Sequence, residues 1–133
     1  MDANNVSGAR DEPSLRSERH VSPQCLDWQD KSYRDAYMGE AIDQGIAWQI
    51  KINRERRDLS QEQLAEMLGT GHSAVSQLED PDRGGHDLET LKAVARAFDC
   101  ALLVQLVPYA TLASESERLS PEDLYAAPFH FPA

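Results

Sequence analysis

Two cysteines, Cys25 and Cys100, are all that the 133 residues hold. They cannot build a disulfide framework or a structural zinc site, and two reduced thiols in a cytoplasmic protein are the expectation. No apolar run approaches the roughly 18 residues that a membrane helix needs. The opening segment, MDANNVSGARDEPS, lacks the apolar stretch of a secretory signal. The four histidines, His20, His72, His86 and His130, show neither H-E-x-x-H nor paired-cysteine spacing, so neither a metal nor a cofactor is implied. There is no glycine-rich phosphate loop, and Gly84-Gly85 reads as a turn. No Ser-His-Asp set or Cys-His pair can be placed on so small a scaffold, and an enzyme is not expected. Positive charge is also scarce. Thirteen Lys and Arg stand against 23 Asp and Glu, for a net charge of −10, and residues 59–82 contain no Lys or Arg at all. That balance argues against a polybasic membrane-surface or RNA-coating protein, although an acidic body can still carry a small basic face.

The chain is long enough for one compact domain and short for two. Residues 1–29 are polar, with few large apolar groups, and read as a disordered N-terminal arm. Residues 30–109 carry the periodic apolar pattern. Residues 110–133 read as an irregular acidic tail with three prolines, Pro121, Pro128 and Pro132.

Within the middle zone, Asp30 to Arg57 has no proline, and Tyr33, Tyr37, Ile42, Ile46 and Ile50 recur at mostly helical spacing. The run is long for one globular helix, and Gly39 and Gly45 are the points at which it would divide, so one helix or two are both open here. Ser60 and Gln63 have the spacing of a capping box and open a helix whose inner face is Leu64, Ala65 and Leu68. Gly69 ends it. After Gly69-Thr70-Gly71 a short helix begins near His72, with Val75 and Leu78 as its apolar positions. Pro81 and Gly84-Gly85 form a loop. Asp87 caps a further helix that turns Leu88, Leu91, Val94, Ala95 and Phe98 inward. The period then changes: residues 101–107, ALLVQLV, read as a short strand ended by Pro108.

Two short helices joined by a tight, glycine-led turn have the supersecondary form of a helix-turn-helix. The stretch LSQEQLAEMLGTGHSAVSQLED, residues 59–80, followed by DLETLKAVARAFD, residues 87–99, resembles the Xre family of helix-turn-helix regulators. That family includes phage repressors, Cro proteins and HigA-like antitoxins. The resemblance rests on Ser60-Gln61, Leu64-Ala65, Leu68-Gly69, Val75, Gln77-Leu78-Glu79 and Leu88-Glu89-Thr90-Leu91, and covers residues 46 to about 106. It implies a mainly α fold: a lambda-repressor-like domain of four to five helices, followed here by the strand and the irregular tail. Departures from the family pattern are Asp58 at the usual glycine position, Gly71 as a weaker helix cap, and Asp80-Pro81-Asp82 in the loop.

The resemblance implies a DNA-binding transcriptional regulator, expected to act as a dimeric repressor at a palindromic operator. His72, Ser73, Ser76 and Gln77 face away from Val75 and Leu78, and the family makes these positions the base readers. By resemblance, Gln61 points at a phosphate. Candidate phosphate-binding cations are Lys51, Arg56, Arg57 and Arg83, with Arg10, Arg16 and Arg19 of the arm as possible additions. Arg54 and Glu79 match a family pair that meets beneath the two helices, and a largely buried ion pair is expected. The apolar residues of the strand, Leu102, Leu103, Val104, Leu106 and Val107, suggest pairing with a second subunit. An alternative is an antitoxin whose flanks hold a protein toxin, through Tyr33, Tyr37 and Met38 or through Leu119, Leu124, Tyr125, Phe129 and Phe131. In either reading the partners are double-stranded DNA and a second copy of the chain, not a membrane.

Overall fold

The computed structural model describes residues 26–130. A 3-10 turn, Leu26–Gln29, leads into α1, Lys31–Arg56. Then come α2, Gln61–Leu68, α3, His72–Leu78, and α4, Leu88–Phe98. After an irregular stretch the chain forms α5, Tyr109–Glu115, and α6, Pro121–Leu124. The fold is mainly helical, with six α-helices among the described residues.

Local chemistry sets most of these boundaries. Asp30 caps α1 by accepting from the Ser32 N–H at 2.9 Å. Ser60 and Gln63 form a full capping box on α2, at 3.0 Å from the Gln63 N–H to Ser60 Oγ and 2.7 Å from the Ser60 N–H to Gln63 Oε1. Gly69 closes α2 with a left-handed backbone, φ 70°. Gly71 precedes α3 with no side-chain cap. Asp58 holds φ 56°, the left-handed conformation that the family gives to glycine there. Gly84 is left-handed as well, φ 68°, the conformation that favours glycine, and it lies against the Asp43 carboxylate of α1.

Two apolar clusters share α1. The larger one joins Ile50 of α1 to Leu64 and Ala65 of α2, Val75 of α3, and Val94 and Phe98 of α4. The smaller one lies nearer the start of α1, where Trp28 and Tyr37 pack with Ala113 of α5, flanked by Tyr33, Tyr109 and Leu112. The Trp28 ring meets those of Tyr33, Tyr37 and Tyr109 at centroid distances of 6.0, 5.0 and 5.6 Å. Buried Tyr37 shares a 2.6 Å hydrogen bond with Ser116.

One alternative is resolved and three expectations are corrected. Gly39 and Gly45 do not divide α1. Each glycine costs about 1 kcal/mol in a helix interior, and burial at both ends of α1 offsets that. The strand expected over 101–107 is absent among the described residues: 101–108 is irregular and exposed. A strand is held by ladder hydrogen bonds, and no segment of the described chain pairs with this one. The tail expected to be irregular contains α5 and α6, and α6 packs on α1. The folded body also begins before residue 30, since Trp28 is buried. The rest of the expected arm, with Arg10, Arg16, Arg19 and Cys25, lies outside the described residues, as does Phe131. No described helix is long and apolar enough to cross a membrane.

Candidate nucleic-acid interface

Helices α2 and α3 pack against each other and against the core through Leu64, Ala65 and Val75. Burying Val75 and half-burying Ala74 and Leu78 turns the opposite face of α3 outward. His72, Ser73, Ser76 and Gln77 all lie on that exposed face. None of the four side chains is held by a hydrogen bond or ion pair among the described residues. One imidazole, two hydroxyls and one carboxamide thus offer donors and acceptors along two turns of helix, the chemistry that reads base edges in a major groove.

Beneath this face lies a charged network. Arg54 of α1 donates to Glu79 at the end of α3 with both arms of a fork, Nε to Oε2 at 2.6 Å and Nη2 to Oε1 at 3.0 Å. The two side chains are only 11% and 4% exposed. A third Arg54 donor reaches the Leu59 carbonyl at 2.8 Å, tying in the turn before α2. The Gln61 amide donates to Glu79 Oε1 at 3.0 Å. Its hydrogen bonds to Glu79 raise the Arg54 pKa above its ordinary value, against the opposing pull of burial. Glu79 therefore binds α1, the start of α2 and the end of α3 together, and sets the angle at which α3 is presented.

The candidate phosphate contacts divide into two groups. Lys51 and Arg83 are exposed and have no carboxylate partner among the described residues. Arg56 stacks 5.5 Å from the Tyr125 ring centre and faces Glu122 at 3.5 Å. Arg57 is spent inside the protein: one Nη donates to the carbonyl and side-chain oxygens of Asn53 at 3.2 and 3.1 Å. The other donates to the carbonyls of Phe98 and Ala126 at 2.7 and 2.8 Å. Its geometry is that of a clamp between α1, α4 and the C-terminal segment. Gln61, expected at a phosphate, has its amide on Glu79 instead. Exposed acids surround the face, with Glu62 and Glu66 on α2 and Asp80 and Asp82 after α3. The Asp80 carboxylate turns back to accept from the Asp82 N–H at 3.0 Å.

Sequence reasoning missed Asn53. It is buried on α1 and joins the C-terminal segment twice: its Nδ2 donates to the Leu124 carbonyl at 2.9 Å, and its Oδ1 accepts from the Ala126 N–H at 2.8 Å. An amide on the inner stripe of α1, one turn before Arg57, was the available signal. The residues set aside for a dimer, Leu102, Leu103, Val104, Leu106 and Val107, are all exposed, Leu106 fully so.

A short helix laid over a second, with its outer face polar and free, makes this a helix-turn-helix domain of the DNA-binding kind. The helix-turn-helix family model matches residues 50–104. Over that segment the chain is similar to the Xre and lambda-repressor type of helix-turn-helix, which supports a DNA-binding regulator in general. No curated protein and no solved structure matches the chain.

Proposed function

We propose that the protein is a sequence-specific transcriptional repressor that inserts α3 into the DNA major groove and acts by occupying an operator. The observation that carries this reading is the free polar quartet on α3 set above the buried Arg54–Glu79 fork. In this reading His72, Ser73, Ser76 and Gln77 meet base edges, while Lys51 and Arg83, with Arg56 beside them, meet phosphates. Gln61 and Arg57 act from behind as positioning residues. The protein works as a homodimer on a palindromic site, and the exposed apolar side chains of 102–107 support self-association. A regulator of this type works in the cytoplasm, and its own promoter is the first operator to try.

The test is a gel shift on the DNA upstream of its own gene at two salt concentrations. With so few free cations among the described residues, we expect a shallow salt dependence for each subunit. Gln77→Ala lowers discrimination between operator and random DNA by about 1–3 kcal/mol. Lys51→Ala weakens binding to all sequences alike and reduces the salt slope by about 1. Unchanged operator preference in Gln77→Ala would remove α3 from the groove. The antitoxin reading has the exposure of Met38 and Phe129 in its favour. Against it, Tyr33 and Tyr37 are engaged in the chain's own aromatic cluster. Recovery of a bound toxin by pull-down from the native cell distinguishes the two.

A further inference from the structure

Helix α3 presents its polar quartet on only two turns, a length at which a helix is marginal without outside support. Gly71 gives it no side-chain cap, and its last turn carries no basic residue. The carbonyls of a helix's last turn must find partners beyond it. Those of Val75 and Gln77 accept from the Glu79 N–H at 3.1 Å and the Asp80 N–H at 3.2 Å. The Leu78 carbonyl has a partner of another kind, the imidazole of His86 at the far end of the following loop, with Nε2 at 2.9 Å. A carbonyl only accepts, so Nε2 carries the hydrogen and donates it, and Nδ1 is the bare nitrogen. Nδ1 is buried and has no partner among the described residues, so no second hydrogen bond competes for the orientation of the ring. The ring sits in a hollow of about 470 Å³ that is lined also by Gln77 and Leu78 of α3 and by Glu89 and Thr90 of α4. The next residue, Asp87, caps α4.

We propose that His86 is a positioning residue for base reading: by donating to the Leu78 carbonyl it clamps the end of α3 and so fixes where Gln77 points. Leu78 stands between Gln77 and Glu79. Two consecutive residues at the end of α3 are therefore held from two sides, Glu79 by Arg54 of α1 and Leu78 by His86. His86 is itself a firm post, because it adjoins the capped start of α4, and α4 is anchored in the core by Val94 and Phe98. The angle of α3 is thus set against both α1 and α4. A helix with one end pinned twice and the other uncapped turns about its pinned end, which is the end that carries Gln77. The consequence for base reading rests on the operator reading above; the clamp itself does not.

The experiment uses the full chain and two variants. His86→Phe keeps a ring in the hollow and removes the donor, while His86→Gln restores a donor on a side chain of similar reach. Amide hydrogen exchange at Glu79 and Asp80 is expected to quicken about five-fold in His86→Phe, with the amides of α1 unchanged, and to return to within about two-fold of wild type in His86→Gln. In gel shifts His86→Phe loses about five-fold in preference for operator over random DNA, and His86→Gln recovers it. In mildly alkaline solution, a long-range proton–nitrogen spectrum of wild type shows His86 as one tautomer with its proton on Nε2. A proton on Nδ1, equal exchange in wild type and His86→Phe, or quickening spread evenly over the chain overturns the clamp. The tautomer is read on wild type, so it decides even where a variant does not fold. Operator preference that is present in wild type and undiminished in His86→Phe removes His86 from base reading. A wild type with no operator preference overturns the operator reading instead, and exchange and tautomer still decide the clamp.

Discussion

Glu79 accepts three hydrogen bonds from two side chains while almost wholly buried, and its charge is tolerable only because Arg54 supplies the matching one. Removing one partner strands the other. Glu79→Ala is therefore expected to cost about 3 kcal/mol in chemical denaturation. The double change Arg54→Met with Glu79→Leu, which leaves no buried charge, recovers most of that loss. Equal melting of wild type and Glu79→Ala would show that the fork holds nothing. Arg54 and Glu79 were legible because both ends of the pair are side chains in a family pattern. Arg57 was not, because its partners are the carbonyls of Phe98 and Ala126. Every residue has a carbonyl, so such a bond leaves no trace in composition or spacing, and a basic residue at a helix end reads as a surface charge.

The helix starts were legible for a related reason: a cap and its target lie within three residues. Asp87 accepts from the Thr90 N–H at 2.7 Å, and this bond, with a smaller side-chain contribution from Thr90, lowers its pKa below the usual aspartate value. A lowered carboxylate pKa adds stability above the unfolded value, and this is lost as pH falls through the folded one. Asn caps helices as well as Asp but does not titrate in this range. Thermal melts of wild type and Asp87→Asn should thus converge as pH drops from 7 towards the acid limb, with wild type losing more. Parallel curves over that range would deny the cap its charge. Non-local elements were less legible. The alternation in 101–107 signals apolar faces, but a strand also needs a partner edge, which no single segment specifies. Gly39 and Gly45 marked a break on propensity alone, while Ile50 and Tyr37, buried at opposite ends of α1, carry the tertiary packing that keeps the helix whole.

The whole molecule is built on α1, with the helix-turn-helix core at one end and the aromatic cluster at the other. Leu103, Val104 and Leu106 project from the stretch between α4 and α5, too apolar to remain in water at no cost. Sedimentation at micromolar concentration is expected to show a dimer for wild type and a monomer for Leu103→Asp with Leu106→Asp, since two charges in that interface would go unpaired. A monomeric wild type, or a dimer that survives both changes, removes the segment from the interface. The Asn53 bonds to the tail also set an order of assembly. Asn53 and Leu124 are 71 residues apart along the chain, against 18 for Gln61 and Glu79. Loop-closure entropy grows only with the logarithm of length, so the longer loop costs just about 1 kcal/mol more, yet contacts so distant form late. The tail is therefore expected to join a helix-turn-helix that has already assembled.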